Sequence, residues 1–352
     1  MKLYRARDFL AEPAPSGYVL GIHAFAKLNL GLRVGRRRAN GYHDLDTVFQ
    51  TVDYADSLYA KPRKRGIRLR VIRRGPSRRA GFAVSAGPTN LVRRAVRLLR
   101  ERYGVREGAD LVLVKRVPSG GGLGGGSSDG VAAIRLLARL WGLADAVKNG
   151  EKLAGALGAD GAFLWKGGRA RARGRGDVLR PLPVPRLERV VIVIPRRGVA
   201  TAKAYAWLDE LRHAKRLTPT KGVHTISALR ASRMRDVPGM PRAENDLEEV
   251  VRRHYPEVDA ARQMLIELGV GSVRMTGSGS AVFGVLPRGR DPLGWVTRLR
   301  RSSLDVVMAR FTRFGSLWCR SGRAARMRPD AHHPPSEVPA WHGGRPSRPV
   351  GW

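Results

Sequence analysis

The sequence has almost no cysteine, few acidic residues and no long apolar run. Cys319 is the only cysteine among 352 residues, which excludes an intrachain disulfide and a cysteine-based metal cluster. No stretch of about 18 apolar residues occurs, so the pattern predicts no membrane span. Met1–Gly21 carries charges but lacks the apolar run that a signal sequence needs. These absences favour a cytoplasmic protein.

Acidic residues are scarce relative to basic ones, with 29 Asp and Glu against 66 Lys and Arg and a net charge of +37. A surface this basic attracts the phosphates of nucleic acids. The positive charge is nevertheless spread over the whole length and is mostly arginine, whereas a phosphate-binding arm is usually a concentrated block. We therefore expect weak binding of polyanions and no specific nucleic-acid partner.

The length is sufficient for two domains, since a domain usually spans about 100–200 residues. Hydrophobic residues make up 43% of the chain, which is typical of a globular enzyme. Prolines cluster between residues 181 and 185 and indicate a boundary. We expect an N-terminal domain over 1–185 and a C-terminal domain over 186–320. Residues 321–352 are rich in Pro, Arg, His and Gly without periodicity, which predicts a disordered tail.

Apolar spacing predicts a mixture of strands and helices in both halves. Val19–Leu32 and Leu111–Val114 have the pattern of strands. Asn90 is placed to cap a helix that follows it, and a second amphipathic helix follows a glycine-rich loop. In the second half we expect strands at 190–194, 273–275 and 281–286, and helices around 202–211, 245–254 and 258–268.

The glycine-rich loop at Pro118–Asp129 is the strongest local feature of the sequence. Glycine fills six of the seven positions from 120 to 126. This would be costly in a regular element, because glycine loses the most backbone freedom on folding. It is useful where the backbone approaches a ligand and points several N–H groups at it. Because a strand precedes the loop and a helix follows it, we predict a site for nucleotide phosphates at the helix N-terminus.

Two other nucleotide motifs do not fit this loop. No Gly-Lys-Ser/Thr follows, so it is not a Walker A loop. A dinucleotide fingerprint would need a strand ending in an acidic residue about 20 positions later, where this sequence has a helical pattern. The residues expected to bind ATP phosphates are Pro118, Gly120, Gly121, Gly122, Leu123, Gly124, Gly125, Gly126, Ser127 and Ser128.

The loop resembles the phosphate loop of the GHMP kinases, and other stretches agree with that family in order and rough spacing. They are Ala26–Leu30, Gly41–Leu45 followed by Phe49-Gln50, Gly158–Phe163, Asn245–Glu248 and Thr276–Ser280. The fully glycine-filled loop and the Gly41-Tyr42-His43 stretch are most similar to the branch that phosphorylates 4-diphosphocytidyl-2-C-methyl-D-erythritol. The similarity extends over about residues 20 to 290.

The resemblance implies an α+β fold of two domains with the active site between them. The N-terminal domain would be ribosomal-protein S5 domain 2-like and bind ATP, and the C-terminal domain would be the ferredoxin-like GHMP domain. The implied reaction moves the γ-phosphate of ATP to the 2-hydroxyl of 4-diphosphocytidyl-2-C-methyl-D-erythritol, in the non-mevalonate isoprenoid precursor pathway. Mg²⁺ would arrive with ATP, near Ser127, rather than be held by the protein alone.

Lys27 and Asp160 are the expected catalytic pair. From the residues alone, Asp160 is equally a helix cap or a functional acid, and Lys27 is more often an edge-strand lysine. In the family, the stretch around Asp160 carries the catalytic aspartate and Lys27 faces the substrate hydroxyl. A carboxylate within hydrogen-bond reach of an alcohol can accept its proton, and a nearby ammonium favours both negative charges. Phosphoryl transfer depends mainly on such positioning and charge neutralisation.

A second group of residues is expected to bind the substrate. Tyr42 and His43 follow the turn dipeptide Asn40-Gly41 and could simply close a hairpin. The resemblance instead assigns them to a nucleobase, with Tyr205 as the second aromatic ring around it, although Tyr205 also suits a core position on a helix. The expected substrate-binding residues are Asn29, Tyr42, His43, Thr201 and Tyr205.

The sequence departs from the family pattern at Phe25, where proline is usual. Gly161-Ala162 replaces Val-Pro beside the expected base and could loosen it.

Two alternative functions remain open. A GHMP kinase acting on a sugar or amino-acid alcohol would have no use for the Gly-Tyr-His stretch. A nucleic-acid-binding protein on a degenerate kinase fold would explain the charge, but not the joint presence of Lys27, Asp160 and the glycine loop. The histidines show no zinc spacing.

Overall fold

The computed structural model describes residues 2–78, 82, 84–184, 188–214, 245–286 and 304–319. The predicted disordered tail lies outside these residues. The described chain contains runs of strands and runs of helices, which confirms the predicted α+β class. None of the described helices combines the length and the apolar character needed to cross a membrane.

The described chain contains the following elements. The strands are β1 (Lys2–Arg5), β2 (Leu20–Arg37), β3 (His43–Arg63), β4 (Ile67–Arg73), β5 (Gly108–Lys115), β6 (Arg169–Gly174), β7 (Val178–Leu182), β8 (Arg189–Ile194), β9 (Gly271–Met275), β10 (Val282–Val285), β11 (Asp305–Arg310) and β12 (Ser316–Trp318). The helices are α1 (Ala6–Leu10), α2 (Leu91–Tyr103), α3 (Gly125–Leu140), α4 (Ala144–Lys148), α5 (Gly150–Leu157), α6 (Gly161–Lys166), α7 (Thr201–Ala214), α8 (Glu248–His254) and α9 (Pro256–Glu267). A 3-10 turn covers Gly75–Arg78.

The strands form two sheets. One has the order β1-β11-β8-β10-β9, and the other has the order β12-β2-β3-β5-β4 with β6 and β7 joined to it through β3. Strand β3 is 21 residues long, so its first half pairs with β6 and its second half with β5. The sheets face each other across one apolar core, while helices α2–α6 and α7–α9 cover their outer faces.

Strand pairing crosses the predicted domain limits at both ends of the described chain. Strand β1 pairs in parallel with β11, and β12 pairs antiparallel with β2. Each sheet therefore includes a strand from the opposite end of the sequence. The proline cluster begins inside β7, where Pro181 pairs with Ala170 of β6. Pro185, at the other end of the cluster, lies outside the described residues.

Local signals explain the elements that position the site. Oδ1 of Asn90 accepts a hydrogen bond from the N–H of Val92 at 2.9 Å, which confirms the predicted cap of α2. Gly41 has φ +82°, a conformation that favours glycine, in the hairpin that joins β2 to β3. Residues two apart on a strand share a face, so Lys27 and Asn29 both point to one side of β2.

Candidate active site

The glycine-rich loop accepts hydrogen bonds through its carbonyl groups, whereas its N–H groups have no acceptor among the described residues. Carbonyl oxygens of Gly120, Gly121, Gly122 and Leu123 accept hydrogen bonds from Val199 N, Ala281 N, Thr276 Oγ1 and Lys27 N, at 2.9, 3.1, 3.3 and 2.9 Å. Within the described ranges, no acceptor takes the N–H groups of residues 120–127. These groups lead into the N-terminus of the 16-residue helix α3, a place where backbone N–H groups could hold an anion.

The two glycine loops meet backbone to backbone. A Cβ atom on Gly122 would lie 1.9 Å from the carbonyl oxygen of Thr276, and one on Gly277 would lie 2.8 Å from the carbonyl oxygen of Gly122. Both glycines also have positive φ, at +74° and +56°. The side-chain amide of Asn245 holds the second loop by donating to the carbonyl oxygens of Met275 and Gly277, at 3.0 and 2.7 Å. The contact joins the predicted N- and C-terminal domains.

Gly124 offers a test of the loop. Its φ is +69°, and an added Cβ would lie 2.9 Å from Cγ of Lys27. From sequence we expect Gly124→Val to weaken ATP binding with little loss of stability if the loop is exposed. The loop is half-buried at Gly124, so we now expect strain of about 1–3 kcal/mol as well, because a side chain is forced into the left-handed region. Calorimetric titration with ATP and thermal unfolding measure the two effects.

The matched control is Gly155→Val. Gly155 lies in α5, away from the loop, and an added Cβ there would meet nothing within 4 Å. The control protein should bind ATP as the wild type does. Unchanged ATP affinity in Gly124→Val would contradict the assignment of the loop.

Lys27 lies between the loop and Asp160. Its ammonium donates to Oδ1 of Asn29 at 2.6 Å and lies 3.6 Å from Oδ2 of Asp160. The Asn29 amide in turn donates to Oγ1 of Thr47 at 2.8 Å, which fixes its orientation. Lys27 is 5% exposed, so solvent screens its charge little. The predicted catalytic pair and Asn29 are thus brought together in one cluster.

Asp160 occupies the N-cap position of α6, but its carboxylate makes no capping hydrogen bond. Its side chain is 27% exposed and approaches Lys27 instead, which favours a functional acid over a helix cap. The unusual Gly161 beside it is tightly packed. A Cβ there would lie 1.9 Å from the carbonyl oxygen of Ala154, so glycine allows α6 to lie against α5. The sequence left open whether this departure loosens the base, and the structure shows Gly161 packed closely against Ala154.

Tyr205 lies near Asp160, and His43 stacks on Tyr205. The rings of His43 and Tyr205 stack, with centroids 5.1 Å apart. Burial, and secondarily the charge of Asp160, raises the pKa of Tyr205 to about 12, so the Tyr205 hydroxyl lies within electrostatic reach of Asp160. Tyr42 is 54% exposed and lies against the guanidinium of Arg175, 4.1 Å from its ring centroid. Tyr205 thus stacks on His43, and Tyr42 contacts Arg175.

Helix α7 carries a face directed at the site. Thr201, Tyr205 and Asp209 are four residues apart and share that face. Oγ1 of Thr201 lies 3.0 Å from Oγ of Ser278 in the second glycine loop. Oδ1 of Asp209 lies 2.9 Å from Nε2 of His43. Thr201 and Tyr205 were identified from the sequence, whereas Asp209 was missed. Its spacing of four residues from Tyr205 was a usable signal.

The two serines after the loop differ in role. The Ser128 hydroxyl donates to the carbonyl oxygen of Phe25 at 2.7 Å and is buried, so it anchors α3 to β2. The Ser127 hydroxyl is half-buried and has no partner within the described part of the chain. Ser127 is therefore the one of the two serines whose hydroxyl could contact a phosphate or its metal ion. No group of three His, Cys, Asp or Glu side chains that could hold a metal occurs among the residues described.

A buried ion cluster lies next to the start of α3, at the end of the glycine-rich loop. The ammonium of Lys115 contacts the carboxylates of Asp56 and Asp129, the latter at 2.8 Å, and all three are buried. A Cβ on Gly125 would lie 3.2 Å from Nζ of Lys115, so the ammonium supports the first turn of α3. Burial alone would lower the pKa of Lys115, but the charges of Asp129 and Asp56 raise it. Burial raises the pKa of Asp129, which Lys115 only partly offsets.

Comparison with known families agrees with this geometry. Residues 90–168 match the GHMP kinases N terminal domain, and residues 226–292 match the GHMP kinases C terminal domain. A solved homoserine kinase from Cytophaga hutchinsonii has the same fold, with a TM-score of 0.62 and 17% identity over 87% of this chain and 99% of that one. Fold and site therefore define a phosphotransferase of the GHMP kinase class, which uses ATP.

Relatives with higher sequence identity show to which family of GHMP kinases the chain belongs. A 4-diphosphocytidyl-2-C-methyl-D-erythritol kinase of Moorella thermoacetica is 37% identical over 293 residues, or 83% of this chain and 99% of the relative. One from Pseudomonas entomophila is 39% identical over 76% of this chain and 84% of the relative. The crystal structure of a 4-(cytidine 5'-diphospho)-2C-methyl-D-erythritol kinase has a TM-score of 0.64 and 33% identity, over 83% of this chain and 98% of that one. The chain belongs to the 4-diphosphocytidyl-2-C-methyl-D-erythritol kinase family.

Proposed function

We propose that the protein transfers the γ-phosphate of ATP to the 2-hydroxyl of 4-diphosphocytidyl-2-C-methyl-D-erythritol, a step of the non-mevalonate isoprenoid pathway. The observation that carries the proposal is the convergence of three components at Gly124. A Cβ placed on this loop residue would lie 2.9 Å from Cγ of Lys27 and 3.6 Å from Oδ2 of Asp160. An anion site, an acid and an ammonium thus adjoin one another.

Each component has a chemical task in the transfer. The N–H groups of the loop hold the phosphates of ATP, and the α3 N-terminus adds favourable charge. Asp160 accepts the proton of the 2-hydroxyl as the alcohol oxygen forms its bond to the γ-phosphorus. The bond from that phosphorus to the bridging oxygen of ADP breaks, and the proton stays on Asp160. Lys27, oriented by Asn29, stabilises the developing negative charge on the alcohol oxygen.

Mg²⁺ enters this proposal as part of the ATP complex. Bound to the phosphates, it would neutralise charge on the transferring group. The Ser127 hydroxyl, which bonds to none of the described residues, lies in the first turn of α3 and is the protein oxygen that fits beside it. We propose no other protein ligand.

The nucleobase of the substrate is proposed to lie against Tyr42, His43 and Tyr205. Tyr42 is exposed and offers a ring face, while His43 offers a ring nitrogen. Tyr205 connects this group to Asp160, whose charge contributes to the pKa of its hydroxyl. Stacking of a base on such rings is worth about 1–3 kcal/mol. The cytidine would therefore anchor one end of the substrate, while the 2-hydroxyl at the methylerythritol end reaches the carboxylate of Asp160.

An ATP-consumption assay over a panel of alcohols tests the proposal. The panel contains 4-diphosphocytidyl-2-C-methyl-D-erythritol, the same methylerythritol phosphate without cytidine, homoserine, mevalonate and galactose. We expect turnover with the first compound at least about 100-fold above the others, because only it can use the aromatic residues. Comparable or better turnover of homoserine, mevalonate or galactose would contradict the assigned substrate while leaving the kinase class intact.

A further inference from the structure

We infer that Phe49 is a positioning residue for the phosphoryl transfer, because the face of its ring holds the ammonium of Lys27 beside Asp160. This inference rests on the proposed function, since it takes Lys27 as the cation that stabilises the developing charge on the alcohol oxygen. Its structural basis is a ring contact in which Nζ of Lys27 lies over Phe49, 5.3 Å from the ring centroid. A cation within about 6 Å of an aromatic centroid is attracted by the negative face of the ring.

The strand register places the two side chains on one face of the sheet. In the antiparallel pair of β2 and β3, Lys27 lies opposite Thr51, and Asn29 lies opposite Phe49. Opposite residues of such a pair share a face, and diagonal neighbours lie within reach of long and aromatic side chains. Phe49 is the diagonal neighbour of Lys27. The ammonium can therefore lie over the ring while it also donates to Asn29.

The Phe49 ring is fixed by its neighbours. It is 2% exposed and packs against the ring of Phe163, with the two centroids 4.9 Å apart. Phe163 is buried in α6, three residues after Asp160. A Cβ on Gly176 would lie 3.8 Å from Cζ of Phe49, so the turn between β6 and β7 also packs against the ring. Phe49 thus connects Lys27 on β2 to the helix that follows Asp160.

An aromatic face suits this place because it attracts the ammonium without cancelling its charge. The ring is neutral overall, and only its quadrupole makes the face negative. A carboxylate at the same position would form an ion pair and neutralise the field that the reaction uses. An ammonium has three N–H donors, of which Lys27 gives one to Oδ1 of Asn29. The other donors remain for Asp160 and the substrate oxygen.

The contact has its largest effect on the transition state. Lysine carries its charge on a flexible four-carbon stem, which moves among rotamers unless contacts hold it. A charge that is already in place stabilises a transition state better than one that must first move there. A weaker contact between Phe49 and Lys27 should therefore lower kcat. The KM for ATP should stay the same, because the N–H groups of the glycine-rich loop are unchanged.

The test replaces Phe49 by phenylalanine analogues with one, two and three fluorine atoms on the ring. Fluorine draws electron density from the ring face and nearly keeps the ring shape, so each step weakens the attraction for a cation. kcat is measured for 4-diphosphocytidyl-2-C-methyl-D-erythritol at saturating ATP, together with the KM for ATP. We expect kcat to fall stepwise, to a total loss of about 5- to 30-fold. This equals about 1–2 kcal/mol, the usual strength of a desolvated cation–π contact.

The matched control is the same fluorinated series at Phe163. That ring is buried in the same core, and among the described residues no cation lies over it. Fluorination there should leave kcat unchanged. A further variant, Phe49→Leu, removes the ring face and should lose at least as much kcat as the trifluorinated protein. Thermal unfolding shows whether each variant is folded at the assay temperature.

The outcomes separate this inference from the proposed function. A role of Phe49 in packing alone would give a constant kcat across its fluorinated series, or the same response in both series. Either result would overturn the inference, while turnover by the wild type would leave the proposed function intact. Failure of the wild type to phosphorylate 4-diphosphocytidyl-2-C-methyl-D-erythritol would reject the proposed function, and the inference with it.

Discussion

Replacing Asp160 by asparagine should lower kcat by about 10²–10⁴, the usual contribution of general acid–base catalysis. The amide is nearly the same size as the carboxylate but cannot accept the proton of the 2-hydroxyl. ATP should still bind, since the N–H groups of the loop are unchanged. Steady-state kinetics and calorimetric titration with ATP measure the two properties separately.

Asp145→Asn is the matched control for this substitution. Asp145 lies on α4 with an exposed side chain that pairs only loosely with Lys148, at 3.9 Å. Its loss should leave kcat unchanged. Near-normal turnover by Asp160→Asn would show that Asp160 is not the proton acceptor, whatever its distance from Lys27.

Replacing Lys115 by methionine should destabilise the fold by about 3–5 kcal/mol, the usual cost of breaking a buried ion pair from one side. Methionine fills a similar volume but leaves the carboxylates of Asp56 and Asp129 together without a cation. One of them must then bind a proton or draw in water. Because the ammonium lies beneath Gly125, the loss should also weaken ATP binding. Denaturant unfolding, monitored at neutral pH, gives the free-energy change.

Lys61→Met is the control for that experiment. Lys61 also lies in the N-terminal sheet, but its side chain is 41% exposed and its ammonium is 3.8 Å from Asp110. Exposed pairs of this kind contribute at most about 1 kcal/mol. If both variants unfold at the same denaturant concentration, the buried cluster has no special role in stability.

Features encoded by neighbouring residues were predictable from the sequence. The Asn90 cap, the turn at Gly41 and the glycine-rich loop each depend on a few adjacent side chains or on backbone freedom. The strand pattern at Val19–Leu32 was also sufficient to identify β2, although the strand extends to Arg37. The family resemblance supplied the roles of Lys27 and Asp160, which composition alone left open.

Features that depend on distant contacts were not predictable in the same way. Strand β3 was missed because its 21 residues mix charged and apolar positions and pair with three different strands. The role of Lys115 depends on its contacts with Asp56 and Asp129. No local pattern marks a lysine in a strand as the centre of a buried cluster. The pairing of β1 with β11 likewise joins opposite ends of the chain.

The most direct test of the account is a ³¹P NMR measurement of the reaction products. Purified protein is incubated with MgATP and 4-diphosphocytidyl-2-C-methyl-D-erythritol, and the phosphorus signals are followed over time. The account predicts a new phosphomonoester on the 2-oxygen that appears together with an equal amount of ADP, and much more slowly with Asp160→Asn. Folded, ATP-binding protein that yields no such phosphomonoester, or forms it equally fast with Asp160→Asn, would contradict the account.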